Sequence, residues 1–530
     1  MREIPAAVTT ASRRGRARTP LRAWAVVLVA TAAPACKLNQ QGVPPPLDRI
    51  AFPASALVDP DGRWLYVANS NSDLRYNSGT LVSVDLDATL RDRFGAGEQA
   101  APTWQLCAGA DRIRLDSDPD PCCWDYLDRN ILDCDERLYI PPDSTVKIGS
   151  FSAGMAFQSF QEPACPASSA LMTYSNARHD CNTNCPGEPT LGRLFIGVRG
   201  DSSLTYVDTG SVADPVLGTR PAFSCSGSTA SDARVCQVTQ MNSDEAPGAS
   251  TTPIHVPDEP YALVLDAQQD LLYVGNLRGD TSHPQTGGIS LFDVSRPSGS
   301  PRAAPTFLGA SAAFFNPDVN GNFGITSLTL REDLRQVYAS SRYGTNVVNV
   351  VPSLDGTCSQ DHKDIVLTAG SDAFTTPLIG AEIRGISFLP GGNRAFVLQR
   401  VPPALVGFDV SKDPNAFGNF SSEVLETCAA PTFLQSYDSG EGTRLYVTCF
   451  DAGQIYVFDP DVPRLIAVVN AGRGPAGLAF PRTPRADRKE RLAYIVGFAA
   501  NDIGVLDLTP GSETQYHVVQ RIGFPSLVPR

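Results

Sequence analysis

Arginine recurs at one kind of place in this chain. Arg199, Arg342 and Arg400 each stand at the end of a short apolar run, Arg278 stands one residue further past its own run, and Arg384 and Arg473 stand just ahead of others. Guanidinium pairs bidentately with carboxylate and phosphate, so a fold that gathers these side chains would focus an anionic ligand. If each arginine instead pairs with a nearby aspartate such as Asp201, Asp280 or Asp502, it merely ties loops together, and the residues alone leave both readings open. Catalytic spacing is sparse. The histidines, His179, His255, His283, His362 and His517, are scattered, and the chain holds neither HExxH nor a GxSxG elbow. The one constellation a hydrolase could use is Arg278, His283, Arg342 and Glu382. Asp116, Asp118, Asp120, Asp125 and Asp128 crowd one stretch as carboxylates do at the start of a Ca²⁺ loop, but the glycine at position six and the glutamate at twelve are missing, which favours a solvated acidic loop and no metal. Asp318, Asn320 and Asn322 form a similar fragment that reads as a turn.

Cysteine and charge bound the setting. There are 13 cysteines; no CxxCH motif is present, and Cys181 and Cys185 have no second pair to complete a zinc site. Setting Cys36 aside leaves an even number, which reads as disulfides in an oxidising compartment. Residues 1–35 carry a basic stretch, a short apolar run and the small-residue site Ala33-Pro34-Ala35, the pattern of an export signal. A cysteine directly after such a site resembles the bacterial lipobox, with Ala33 where leucine is usual. That resemblance implies lipidation of Cys36, a tether over 36–46 and anchoring at the cell envelope; Lys37 fits outer-membrane sorting. No later apolar run is long enough to span a bilayer. Removing the signal, with its six arginines and one glutamate, takes the formal charge from −13 to about −18, which argues against nucleic acid as a partner.

The elements that must position the arginines are strands. LYVANSNSDLRYNSGTLVSVDLD (65–87) reads as two antiparallel strands around a turn, and its first run recurs as RLFIGV, LLYVGN, QVYASS, RAFVLQ, RLYVTC and LAYIVG. The second run recurs as LTYVDT, ISLFDV, VVNVVP, LVGFDV, IYVFDP and IGVLDL, and most copies have a further strand upstream across a polar turn, as in SALVDPDGRWLYV. A fourth strand shows as TVKIGS, EVLET and LIAVVNAG. Seven copies of a four-stranded unit, apolar on both faces, predict an all-β, seven-bladed β-propeller over 47–530, with strands a to d running from the channel outward. Tyr66-Val67-Ala68-Asn69 and Tyr273-Val274-Gly275-Asn276 resemble the signature of the YVTN-type propeller repeat family. The resemblance implies the propeller fold, and a scaffold that carries binders, lactonase-like enzymes and surface-layer proteins alike.

The spacings between the anchors Tyr66, Phe195, Tyr273, Tyr338, Phe396, Tyr446 and Tyr494 are 129, 78, 65, 58, 50 and 48, which places long insertions at 88–144, 159–192 and 209–252, all on one face of the disc. No clear strand pair is visible between 88 and 135. Nine cysteines fall in the insertions, an odd number, so one is expected to reach Cys358, while Cys428 and Cys449 on the other face bridge each other. The insertions should then form a stapled cap leaning over one channel mouth. Arg49-Ile50-Ala51-Phe52-Pro53 resembles Arg521-Ile522-Gly523-Phe524-Pro525, so both chain ends are expected at one seam as fourth-strand exits. The functional expectation is an envelope-anchored binding or scaffolding module for an anionic ligand or a protein, without a cofactor and not an enzyme. A lactonase or related hydrolase acting on a sugar derivative, and a structural surface-layer component, are the alternatives.

Overall fold

The computed structural model describes residues 42–95, 99–107, 121–159, 190–215, 217–225, 234–236, 254–257, 259–267, 270–278, 288–294, 304–311, 324–331, 336–342, 346–352, 367–375, 381–410, 420–482 and 488–523. Cys36, Cys165, Cys181, Cys185, Cys358 and His283 lie outside them.

Among the described residues of Gly42–Arg530 the strands form seven sheets, five of them four-stranded with strands in chain order. Their a strands are Pro53–Val58, Ser152–Ser159, Pro260–Asp266, Ile325–Arg331, Ala381–Phe388, Pro431–Asp438 and Pro475–Ala479. Each a strand lies against the a strand of the next sheet, and the last lies against the first, which makes the architecture a β-propeller. The b strands Trp64–Asn69, Leu271–Asn276 and Leu492–Gly497 are buried along their whole length. Sheets packed on both faces require this, and it is why these runs are apolar throughout instead of alternating. Aromatic side chains fill the gaps between sheets: Tyr66 meets Phe157 and Phe223, and Tyr446 and Tyr437 both pack on Phe480.

A backbone device repeats from sheet to sheet at the start of every a strand. Phe52, Phe151, Glu259, Gly324, Glu382, Ala430 and Gly474 all have positive φ, between 47° and 69°. A register shift follows within each a strand. Such a conformation is uncommon for residues with a Cβ. Here it turns the chain from the rim of one sheet into the channel of the next. In five sheets the carbonyl of this residue accepts from the backbone N–H just beyond the b strand: Ser70, Arg199, Leu277, Arg342 and Phe498. The two positions are thereby held side by side at one mouth of the channel.

The insertions depart from expectation. The 86–144 segment opens with the helix Leu86–Phe94, capped by Asp85, whose Oδ1 accepts from the Asp87 and Ala88 N–H groups. It then forms the short strands Cys122–Trp124 and Leu132–Cys134 where none was visible in the sequence. These strands do not lean over the channel. Leu132–Cys134 pairs in parallel with the outermost strand of the last sheet, Val518–Ile522, and extends that sheet to six strands. The physical reason is that an outer strand presents a row of unpaired N–H and C=O groups, which a strand can satisfy and a channel mouth cannot. The 209–236 segment behaves alike. Its hairpin, Ser203–Asp214 with Gly218–Ser224, folds back on the preceding sheet, where Ser144 Oγ donates to the Pro221 carbonyl at 2.5 Å and Lys147 bridges Val235.

Disulfides join Cys107 to Cys123, Cys122 to Cys134, and Cys225 to Cys236, so these insertion cysteines pair locally. Cys428 and Cys449 are joined across the start of the sixth sheet. The sequence separation of 21 in that loop implies a chain-entropy contribution of about 3 kcal/mol. A Cys428→Ser/Cys449→Ser variant should therefore unfold at clearly lower denaturant, and an unchanged urea midpoint would contradict this.

The last sheet also differs from expectation at the seam. All four of its meander strands come from 475–522, so residues 49–51 supply no strand to it. The ends still meet, because the Phe52 N–H donates to Asn501 Oδ1 at 2.6 Å and the Gly523 N–H to the Cys134 carbonyl at 3.0 Å.

Candidate functional site

The positive-φ slot and the position after the b strand together build the mouth. In the third sheet the slot is Glu259. Its carboxylate receives Arg199 Nη2 from the second sheet at 2.7 Å and faces Arg278 Nε at 3.1 Å. In the fifth sheet the slot is Glu382. Arg384 Nη2 donates to its Oε2 at 3.0 Å, Arg400 Nη1 lies 3.5 Å from the same oxygen, and Arg342 Nε reaches over from the fourth sheet to 3.6 Å from Oε1. Two guanidinium groups thus meet at Glu259 and three at Glu382, so at each carboxylate the described arginines outnumber the acid they share.

Access differs among them. The Arg278 side chain is 66% exposed and Arg342 44%, whereas Arg384 is only 12% exposed. The Nε atoms of Arg199 and Arg384 are buried without a hydrogen-bond partner. The arrangement leaves solvent-facing cations over a fixed, partly dry base, and fields at such a rim are less screened than on an open surface. Arg473 is exposed and takes part in none of these pairs. Glu259 was not singled out in the sequence; the signal available was its position immediately before Pro260, the same slot that Glu382 fills before Ile383.

Of the aspartates considered as arginine partners, Asp280 lies outside the described residues, and Asp201 bonds to a neighbouring serine. Asp201 accepts from Ser203 Oγ at 2.6 Å, and burial pushes its carboxyl up to about 6. The folded state therefore holds this proton more tightly than the unfolded chain, where aspartate titrates near 3.8. The resulting stability, up to about 3 kcal/mol, is fully present below about pH 4 and is lost as pH rises through about 6. Asp201→Asn should flatten this part of the stability profile, and parallel profiles for the two proteins between pH 4 and 7 would contradict the assignment.

In the acidic stretch, Asp125 accepts from the Leu127 and Asp128 N–H groups and pairs with Arg521, so it is engaged in structure. Asp116, Asp118 and Asp120 lie outside the described residues, as do Asp318, Asn320 and Asn322. Among the described residues no group of three or more His, Cys, Asp or Glu side chains could hold a metal ion.

No family model matches the chain, and no curated protein matches it. Solved structures do. Hydrazine synthase of Kuenenia stuttgartiensis is 11% identical over 90% of this chain and 99% of its own, with a TM-score of 0.44. A protein from Lactobacillus plantarum is 14% identical over 63% and 82%, with a TM-score of 0.40. The periplasmic gluconolactonase of Pseudomonas aeruginosa is 14% identical over 63% and 84%, also with a TM-score of 0.40. Similarity at this level concerns the fold alone.

Proposed function

We propose that this protein is an exported, seven-bladed YVTN-like propeller, with each sheet counted as a blade, lipidated at Cys36 and held at the bacterial cell envelope, where it binds a small anion at the arginine mouth. The observation that carries the reading is the convergence of Arg199, Arg278, Arg342, Arg384 and Arg400 on Glu259 and Glu382. An anion arriving at the rim meets guanidinium donors already oriented by those carboxylates, so little side-chain freedom remains to be lost on binding. Binding is favoured over turnover because Glu382, the carboxylate a hydrolase would need as a base, is surrounded by three guanidinium groups. The lactonase alternative draws on the same cluster, and a lactone panel tests it.

The test is calorimetric titration and thermal shift of the soluble chain 37–530 with small carboxylates and phosphates, beside Arg342→Ala/Arg400→Ala. Each lost charge-assisted hydrogen bond is worth about 1.5–3 kcal/mol. The double variant should bind at least tenfold more weakly while unfolding normally. Equal affinity in both proteins would sink the assignment of the site.

A further inference from the structure

The mouth is not arginine all round. At the same two positions on the other side of the ring stand phenylalanines. Phe52 fills the positive-φ slot of the first sheet, and Phe450 and Phe498 follow the b strands of the sixth and seventh. These three come from adjacent sheets and touch in a chain. The Phe52 and Phe498 rings meet edge to face with centroids 5.6 Å apart, and Phe498 and Phe450 lie 6.1 Å apart. All three residues are half-buried. The neighbouring slots are Ala430 and Gly474, which add no polar side chain; a Cβ at Gly474 would come within 3.1 Å of Phe450 Cζ. One arc of the rim is therefore cationic and the other mainly aromatic, with the exposed Arg473 at its border beside Gly474.

From this two-sided rim we infer the chemical class of the ligand: an anion with an apolar or aromatic body, such as an aryl or alkyl carboxylate, and not a polyhydroxylated sugar acid. The inference rests on the anion reading above and narrows it. A carboxylate on the arginine arc places the rest of a small molecule toward the phenylalanine arc. Aromatic or alkyl surface gains there by leaving water and by ring contact. Sugar hydroxyls would exchange water for rings that offer no hydrogen-bond partner, which costs free energy for every hydroxyl desolvated.

The experiment titrates the 37–530 chain with a matched set of acetate, hexanoate, phenylacetate and gluconate, and repeats phenylacetate and acetate with Phe498→Ser and Phe450→Leu. Phenylacetate and hexanoate are expected to bind at least tenfold more tightly than acetate and gluconate, a difference of about 1.4 kcal/mol. Phe498→Ser should shrink the phenylacetate advantage and leave acetate unchanged, with Phe450→Leu as the milder change that keeps the fold if the serine variant does not. Gluconate binding as well as phenylacetate would overturn the inference and leave the anion site standing. An advantage unaffected by either phenylalanine variant would also overturn it. Silence from all four anions would remove the anion site and this inference together.

Discussion

Arg193→Ala should destabilise the protein by about 3–5 kcal/mol. Arg193 lies in the b strand of the second sheet, Thr190–Val198, and Asp208 stands opposite it in the register of the c strand. The guanidinium donates from Nε to Oδ1 at 2.6 Å and from Nη2 to Oδ2 at 3.2 Å, and it lies 4.9 Å from the centre of the Tyr206 ring. Each partner's side chain is only 2% exposed. The pair itself contributes little net stability, since taking both charges out of water offsets most of their attraction. Removing one partner is a different matter, because Asp208 is then left buried without the guanidinium that both of its oxygens accept from. Urea unfolding of Arg193→Ala, Asp208→Asn and Arg193→Met/Asp208→Leu separates these quantities. The first single variant should be the worst, and the apolar double variant should recover most of the loss. A cost under about 1 kcal/mol for Arg193→Ala would mean that solvent reaches the site.

The same pair shows what the sequence could reveal. RLFIGV and LTYVDT were recognisable as strands b and c because both are largely apolar runs, and the arginine that begins the first faces the aspartate near the end of the second. Arg444 and Asp459 repeat the arrangement at 3.6 Å in the sixth sheet. Strand identity and order were therefore legible, since the same two-strand grammar is written many times over. The positive-φ slot was not. It is filled by Phe, Phe, Glu, Gly, Glu, Ala and Gly, so no residue type marks it, and only the backbone makes the seven positions equivalent. For that reason the arginines could be found as a group, but Glu259, which holds two of them, and the phenylalanine arc opposite could not. The short strands Cys122–Trp124 and Leu132–Cys134 escaped notice because three residues carry no period. What makes them strands is the edge of a sheet formed nearly 400 residues further along the chain.

That edge decides how the ring stays closed. Many strands of the last sheet could have been shared between the two ends of the chain, yet its meander is built from the C-terminal run alone. The first and last sheets are stitched instead by the 86–144 insertion, which leaves the first sheet after its c strand and pairs with the outer strand of the last. Arg521 sits at the centre of this latch: its guanidinium pairs with Asp125, and its Nε lies 2.9 Å from Asp133 Oδ1, with both aspartates buried. Arg521→Ala would take from two buried carboxylates the guanidinium that pairs with both, at a cost of about 3–5 kcal/mol. The loss should be local before it is global. Backbone amides of 132–134 and 518–522 are expected to exchange with solvent much faster in the variant, followed by those of 53–58 and 475–479, where the first and last a strands meet, while the fourth and fifth sheets keep their protection. Uniform loss of protection around the ring would show instead that the blades unfold as one unit and that the insertion decorates a ring already closed by its a strands. Retention of protection at 518–522 would show that the parallel strand pairing holds the seam without its arginine. The order in which the strands open thus distinguishes a latch from an ornament, because only a latch makes the first and last sheets depend on a segment inserted between two strands of the first.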